Sequence, residues 1–238
     1  MKLAKVVLAR LGLLLQGYSK GVSVGWIGKS NNQIYADAYS YLENKYSENE
    51  IKELIEEGKR VWIEETASDK NNVASQHWNA EVNLCILLYA LIILNGFKVV
   101  VETGVANGIT TRVIMRALER TNGTLHSFDI LDSSRNVYLG SGDWRFHKLE
   151  PNRNLQAQIQ NALNSIGLCD LWLHDSNHGQ TWQAFEYSLA WRHLVPHGVL
   201  LSDDVDASPA WGEASNIFLN KPAIVFDTRK FIGISVKS

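Results

Sequence analysis

The chain has 238 residues, 45% hydrophobic and 20% charged, a balance that excludes a mainly disordered, collagen-like or coiled-coil protein. Lys and Arg number 23 against 25 Asp and Glu, for a net charge of -2, so the basic surplus of a nucleic-acid binder is missing and no nucleic-acid partner is expected. Cys85 and Cys169 lie far apart in apolar runs without a CxxC spacing and read as buried, reduced thiols of a cytoplasmic protein.

The opening stretch MKLAKVVLARLGLLLQGYSKG carries Lys2, Lys5, Arg10 and Lys20, with no acid before Asp37. Lys5 and Arg10 interrupt the apolar run that a secretory signal needs. A basic amphipathic helix packed on protein, as in a homo-oligomer, is favoured over one lying on a membrane. Further on, ENEIKELIEEGKRVWIEE spaces Ile51, Leu54, Ile55, Val61 and Trp62 as on one face of a helix, and Ser47 and Glu50 have the spacing of a capping box. Residues 1–80 thus form an N-terminal helical cap, and 81–238 the main domain. The apolar run 84–94 (LCILLYALIIL) falls well short of the ~20 residues of a spanning helix and predicts a buried one.

From there apolar runs alternate with helical patterns. Strands are expected at 98–102, 124–129, 144–149, 170–174 and 198–202, with helices at 110–120, 154–166 and 181–193 between them. AIVFD and FIGISV, flanking Thr228-Arg229-Lys230, read as a terminal hairpin. Strands apolar on both faces, alternating with helices, give an α/β fold: a doubly wound, mostly parallel seven-stranded sheet with a C-terminal antiparallel hairpin. Ligands of such sheets bind at the C-terminal strand ends. The polar residues there are Glu102 with a glycine loop, Asp129, Glu150, Asp175 with His178, and Asp203 with Asp204.

The loop reads Glu102-Thr103-Gly104-Val105-Ala106-Asn107-Gly108-Ile109-Thr110 and lacks the GxGxxG spacing of a dinucleotide site. Taken alone it suits a ligand-cradling loop and a plain strand-to-helix turn equally well. The pattern Glu102-Thr-Gly104-x-x-x-Gly108 after an apolar strand resembles motif I of class I S-adenosylmethionine-dependent methyltransferases, with Ala106 where many members keep a middle glycine. The resemblance implies a Rossmann-like fold and a cofactor site of Glu102, Thr103, Gly104, Ala106, Asn107, Gly108, Thr110, Asp129 and Asp175. Within it, Glu102 would lie near the amino-acid end of the cofactor and Asp129 would accept the ribose hydroxyls.

The segment DLWLHDSNHGQTWQAFEYSLAWRHLVPHGVLLSDDVD is similar to the subgroup of macrocin-type sugar O-methyltransferases and cephalosporin-hydroxylase-like proteins. The match covers about residues 80–238. It implies a divalent metal held by Asp175, Asp203 and Asp204, with Asp-Asp where many members have Glu-Asp, and His178 as general base beside Asp175. The chemistry agrees independently: three converging carboxylates repel unless a cation lies among them, and all-oxygen ligands suit Mg²⁺. His174 and His178 form an HxxxH, but one in a strand and one in a loop lack the geometry of a helical zinc site. His193 and His197 flank a turn, and His77, His126 and His147 show no partner in the sequence. Trp144 is expected near the adenine edge of the site, and Trp211, in the loop after Asp206, and Trp26 are less committed.

The expected activity is S-adenosylmethionine- and Mg²⁺-dependent O-methylation of a small hydroxylated substrate, a sugar or a polyhydroxylated or catechol-like metabolite. A metal-dependent hydrolase or hydroxylase using the same acids, and a non-catalytic cofactor-binding scaffold, are the alternatives.

Overall fold

The computed structural model describes residues 27, 32–68, 80–220 and 222–238. The basic N-terminal stretch, Trp26 and His77 lie outside the described residues. In chain order the elements are β1 (Gln33–Tyr35), α1 (Ala38–Leu42), α2 (Glu48–Ser68), α3 (Val82–Asn95), β2 (Val99–Thr103), α4 (Ile109–Thr121) and β3 (Thr124–Asp129). A 3-10 turn (Asp132–Asn136) leads to β4 (Asp143–Lys148), α5 (Leu155–Ile166), β5 (Cys169–His174) and α6 (Gln180–His193). The chain then forms β6 (Leu194–Ser202), α7 (Ala210–Ile217), β7 (Ala223–Asp227) and β8 (Lys230–Val236).

The strands make one sheet in the order β1-β7-β8-β6-β5-β2-β3-β4. Only β8 runs antiparallel to its neighbours, β6 and β7. The sheet has eight strands where the sequence predicts seven, because β1 adds to the edge in parallel with β7. Three residues are too few to show a strand alternation, and β1 lies inside the segment read as a helical cap. The helix α7 was also not expected: its eight residues, AWGEASNI, follow a polar loop and look like its continuation. Strand β6 begins at Leu194 rather than 198, carrying the Pro196-His197-Gly198 turn within it, where the pairing with β5 is irregular and His197 takes a φ of 66°.

One apolar layer on each face of the sheet makes the core. On one face α3 lies against β2, β5, β6 and the hairpin, covered by α1 and α2 through Tyr41, Leu42, Ile51, Leu54 and Val61. On the other face α5, α6 and α7 pack on Val101, Phe128, Trp172, Leu200 and Phe226. α3 is apolar all round because protein surrounds it, as the run 84–94 predicts. Among the described residues no helix is long and apolar enough to cross a membrane. Both cysteines are buried and free. The expected capping box of α2 is half made: Glu50 accepts from the Ser47 amide at 2.9 Å, while the Ser47 hydroxyl donates to the same carboxylate.

α3 has no side-chain cap of its own, since Glu81 makes no such bond. Its free amides are satisfied from the hairpin instead: Asp227, fully buried at the end of β7, accepts from Asn83 N at 3.0 Å and Leu84 N at 2.8 Å. We expect Asp227→Ala to lower the unfolding free energy by about 2 kcal/mol in urea titration, and Asp227→Asn by less, because one oxygen acceptor remains. Equal stability of Asp227→Ala and the wild type would contradict this role.

Candidate active site

The strand order reverses direction between β2 and β5, which are adjacent although β3 and β4 intervene in the chain. A crevice opens at the carboxyl ends of these two strands, where open α/β sheets bind their ligands. Gly104 leaves β2 with φ 87°, and its amide donates to Phe128 O at 2.9 Å. A Cβ on Gly104 would lie 2.0 Å from the Asp175 carbonyl oxygen, so only glycine lets the two backbones approach this closely.

Asp129 organises the rest of the loop. Its Oδ2 accepts from Val105 N at 2.7 Å and Ala106 N at 2.9 Å, and its Oδ1 accepts from Leu131 N at 2.7 Å. The carboxylate therefore shapes the cradle itself, with lone pairs left for a ligand. Ala106 adopts φ 46°, a left-handed conformation costly for a residue with a Cβ, and Ser134 Oγ donates to its carbonyl at 3.0 Å. Arg112 of α4 fastens the loop from behind, donating to Asn107 O at 2.8 Å and pairing with Glu65 of α2 at 2.7 Å.

Glu102 stands elsewhere than expected. Neighbouring strand residues face opposite sides, so Thr103 lines the crevice while Glu102 turns towards α4. There its Oε2 accepts from Thr111 Oγ1 and Ser127 Oγ, each at 2.7 Å, and Thr110 also bonds the carboxyl. Burial pushes its pKa up to about 7 against the pull of these hydroxyls, and Oε1 has no partner. Glu102 and Thr110 thus brace the loop from beneath, and Gly108 starts α4 with φ 76°.

The crevice is a cavity of about 500 Å³. It is lined by Thr103, Gly104, Ala106 and Asn107 of the loop, by Asp129 and Ile130, and by the apolar Leu149, Leu155 and Ile159. Asp175, Ser176, Trp182 and Glu186 also line it.

Glu186 was not singled out by sequence reasoning. It is buried, with Oε2 against His174 Nδ1 and accepting from Thr103 Oγ1 at 2.6 Å. Its Oε1 accepts from Trp182 Nε1 at 2.7 Å and Ser176 Oγ at 3.0 Å. Burial raises its pKa, but His174 and these hydroxyls outweigh it and hold the carboxyl below its ordinary value. His174 is therefore a core partner of Glu186.

Asp175 faces two ways, lining the cavity and standing 3.8 Å from His178 Nε2. His178 Nδ1 lies 3.4 Å from Asp204 Oδ2. Asp203 is buried beside them and pairs through Oδ2 with Lys230, which is also 3.9 Å from Asp204. Burial raises the Asp175 pKa strongly, and Asp203 raises it further. Burial and the neighbouring His174 lower His178 to about 4. Asp175, His178, Asp203 and Asp204 are thus brought together, but among the described residues no three His, Cys, Asp or Glu side chains are already gathered to hold a metal ion. Lys230, the cation that stands there, was not anticipated from the sequence.

Residues 101–205 match a family model described as a methyltransferase domain. That stretch, from within β2 to just past β6, resembles a methyltransferase domain. No curated protein sequence matches the chain. Among solved structures it is similar to the MycE methyltransferase of the mycinamycin biosynthetic pathway, crystallised with Mg and SAH, at 20% identity and TM-score 0.40. That alignment covers 48% of this chain and 30% of MycE, so this chain spans under a third of the relative's length. An O-methyltransferase from Bacillus cereus in complex with SAH aligns at 12% identity and TM-score 0.53, covering 84% of this chain and 96% of that one. The SAH-bound methyltransferase PaMTH1 of Podospora anserina aligns at 10% identity and TM-score 0.56, covering 81% and 97%. The last two share their fold with this chain.

Several aromatic expectations change. Trp144 donates to Ser127 Oγ at 2.9 Å and packs edge-on against Tyr138, away from the cavity lining. Trp211 belongs to α7 and is fully buried. His126 and His147 are partners after all, with Nδ1 and Nε2 3.0 Å apart across adjacent strands.

Two predictions follow from the loop. A carboxyl held at about 7 instead of its ordinary 4.5 stabilises the fold below pH 4.5, and this contribution is lost as pH rises through 7. Glu102→Gln should flatten the melting temperature against pH between about 5 and 7, and an unchanged slope would count against the assignment. Ala106→Gly relieves the left-handed strain and should stabilise by up to about 1 kcal/mol in chemical denaturation, whereas a loss of stability would contradict it.

Proposed function

We propose that the chain transfers a methyl group from S-adenosylmethionine to a hydroxyl oxygen of a small polyhydroxylated molecule, with a divalent cation at the acid cluster. The observation that carries this reading is the position of Asp175, which is at once a wall of the cavity and a member of the acid cluster. A ligand in the cavity and a hydroxyl at the cluster would meet across this one residue.

The cavity suits an adenosine-containing ligand. Leu149, Leu155 and Ile159 supply apolar surface for a purine, and Asp129 is an acid in the same lining that can accept from vicinal hydroxyls. Gly104, Ala106 and Asn107 of the glycine loop line the same cavity. Two neighbours of the same fold were solved with S-adenosylhomocysteine, which supports the same ligand class here. The acid cluster suits a hard ion: its donors are carboxylates, and Asp203 Oδ1 is buried without a partner. Asp175, Asp203 and Asp204 would hold it, with Mg²⁺ favoured by donor chemistry.

When bound, S-adenosylmethionine supplies an activated methyl on a sulfonium. A divalent ion would lower the pKa of a hydroxyl it binds. The protein's own part is placement and proton transfer. Gly104 and Asp175 hold the two strand ends in contact, which sets the distance from cavity to cluster. His178 Nε2 has no hydrogen-bond partner and is the atom that takes the acceptor's proton, while Nδ1 faces Asp204. Glu186 steadies Trp182 and Ser176 in the cavity wall. The acceptor is a vicinal diol of a sugar or a catechol-like ring, a pair of oxygens that one cation can hold.

Saturation with S-adenosylhomocysteine at about 100 times its Kd should raise the melting temperature by roughly 5–10 °C, and no shift would remove the methyltransferase reading. His178→Ala should lower kcat about 10²- to 10⁴-fold while leaving the calorimetric affinity for S-adenosylhomocysteine unchanged. Full-rate turnover by this variant would remove His178 as the base.

A further inference from the structure

Lys230 lies outside every motif from which the site was read. It opens β8, and its side chain is nearly buried, with an ammonium against Asp203 Oδ2 and 3.9 Å from Asp204 Oδ2. Its backbone position is fixed by the turn that carries these acids. Val205 N donates to Phe231 O at 3.0 Å, and Asp206 Oδ1 accepts from Phe231 N at 3.1 Å. On the other side, Arg229 pairs with Glu81, and Lys230 faces Asp227 across the hairpin. The strand cannot swing away from the acids, so only the flexible four-carbon stem of Lys230 can move its charge.

Asp203 is 1% exposed, and one of its two oxygens has no partner at all. An unpaired carboxylate at that depth is costly, and the Lys230 ammonium offsets it. A divalent ion bound to Asp203 and Asp204 would meet the same oxygens and a like charge. We propose that Lys230 is a built-in competitor for the divalent cation: its ammonium neutralises Asp203 when no metal is present and must leave Asp203 for a metal to bind. The proposal rests on the reading of Asp175, Asp203 and Asp204 as a cation site. It gives that site a threshold, because a metal must exceed the attraction of a tethered charge as well as its own hydration.

Lys230→Met and Lys230→Arg test this on the full chain, with Mg²⁺ or Mn²⁺ alone as the probe. In EDTA, Lys230→Met should melt about 5–10 °C below the wild type and Lys230→Arg close to it, because only the first leaves Asp203 uncompensated. By calorimetry Lys230→Met should bind Mn²⁺ about 5- to 150-fold more tightly than the wild type, the span of ordinary coupling between two bound charges. Mn²⁺ affinity unchanged or weakened in Lys230→Met would overturn the proposal. Should that variant fail to fold, amine labelling of the wild type followed by mass spectrometry decides. Lys230 should label several-fold faster in saturating Mg²⁺ than in EDTA, and equal rates would overturn the competition. Binding of S-adenosylhomocysteine in EDTA, measured in parallel, tests the methyltransferase reading separately, since the cavity does not need the metal to form.

Discussion

The backbone contact between Gly104 and Asp175 is the constraint on which the site depends. It joins the ends of the two central strands at the point where the sheet changes its winding direction. A side chain at 104 would drive them apart, and with them the cavity and the acid cluster. The glycine loop, Asp129 and α4 are arranged around β2, while His174, Asp175 and His178 follow from β5. The chemistry proposed here needs both halves held at one separation, and close packing at the strand ends provides it.

Around that contact, polar groups are buried in pairs and networks rather than singly. Glu102 is bound by hydroxyls from α4 and β3, and Glu186 is bound by His174, Thr103, Ser176 and Trp182. Asp227 caps α3 from the opposite end of the chain. Each acid ties together elements distant in sequence, so these groups specify which surfaces meet while the apolar layers supply most of the driving force. Two atoms left without partners, Asp203 Oδ1 and His178 Nε2, belong to the acid cluster.

Much of this was legible in the residues. Strong apolar runs such as 98–102 and 198–202 read as strands because both faces are buried, and the acids at their ends mark the ligand side of any parallel sheet. What stayed hidden has physical reasons. β1 is too short for periodicity, and α7 gains its stability from burying Trp211 rather than from a helical pattern. The face to which Glu102 points depends on strand register, which sequence spacing leaves undetermined within one residue. Lys230 and Glu186 were missed for another reason: their partners are supplied by topology, from across a hairpin and a helix, and no local spacing records them.

The ion pair between Arg112 and Glu65 joins the glycine loop to α2. Arg112 holds the carbonyl of Asn107 in the loop and the carboxylate of Glu65 near the end of α2 with one guanidinium. Any ligand that stiffens the loop thereby lowers the cost of ordering the end of α2, and anything that orders α2 prepares the loop. The loop and the end of α2, 42 residues apart in the chain, are thus tied through a single side chain.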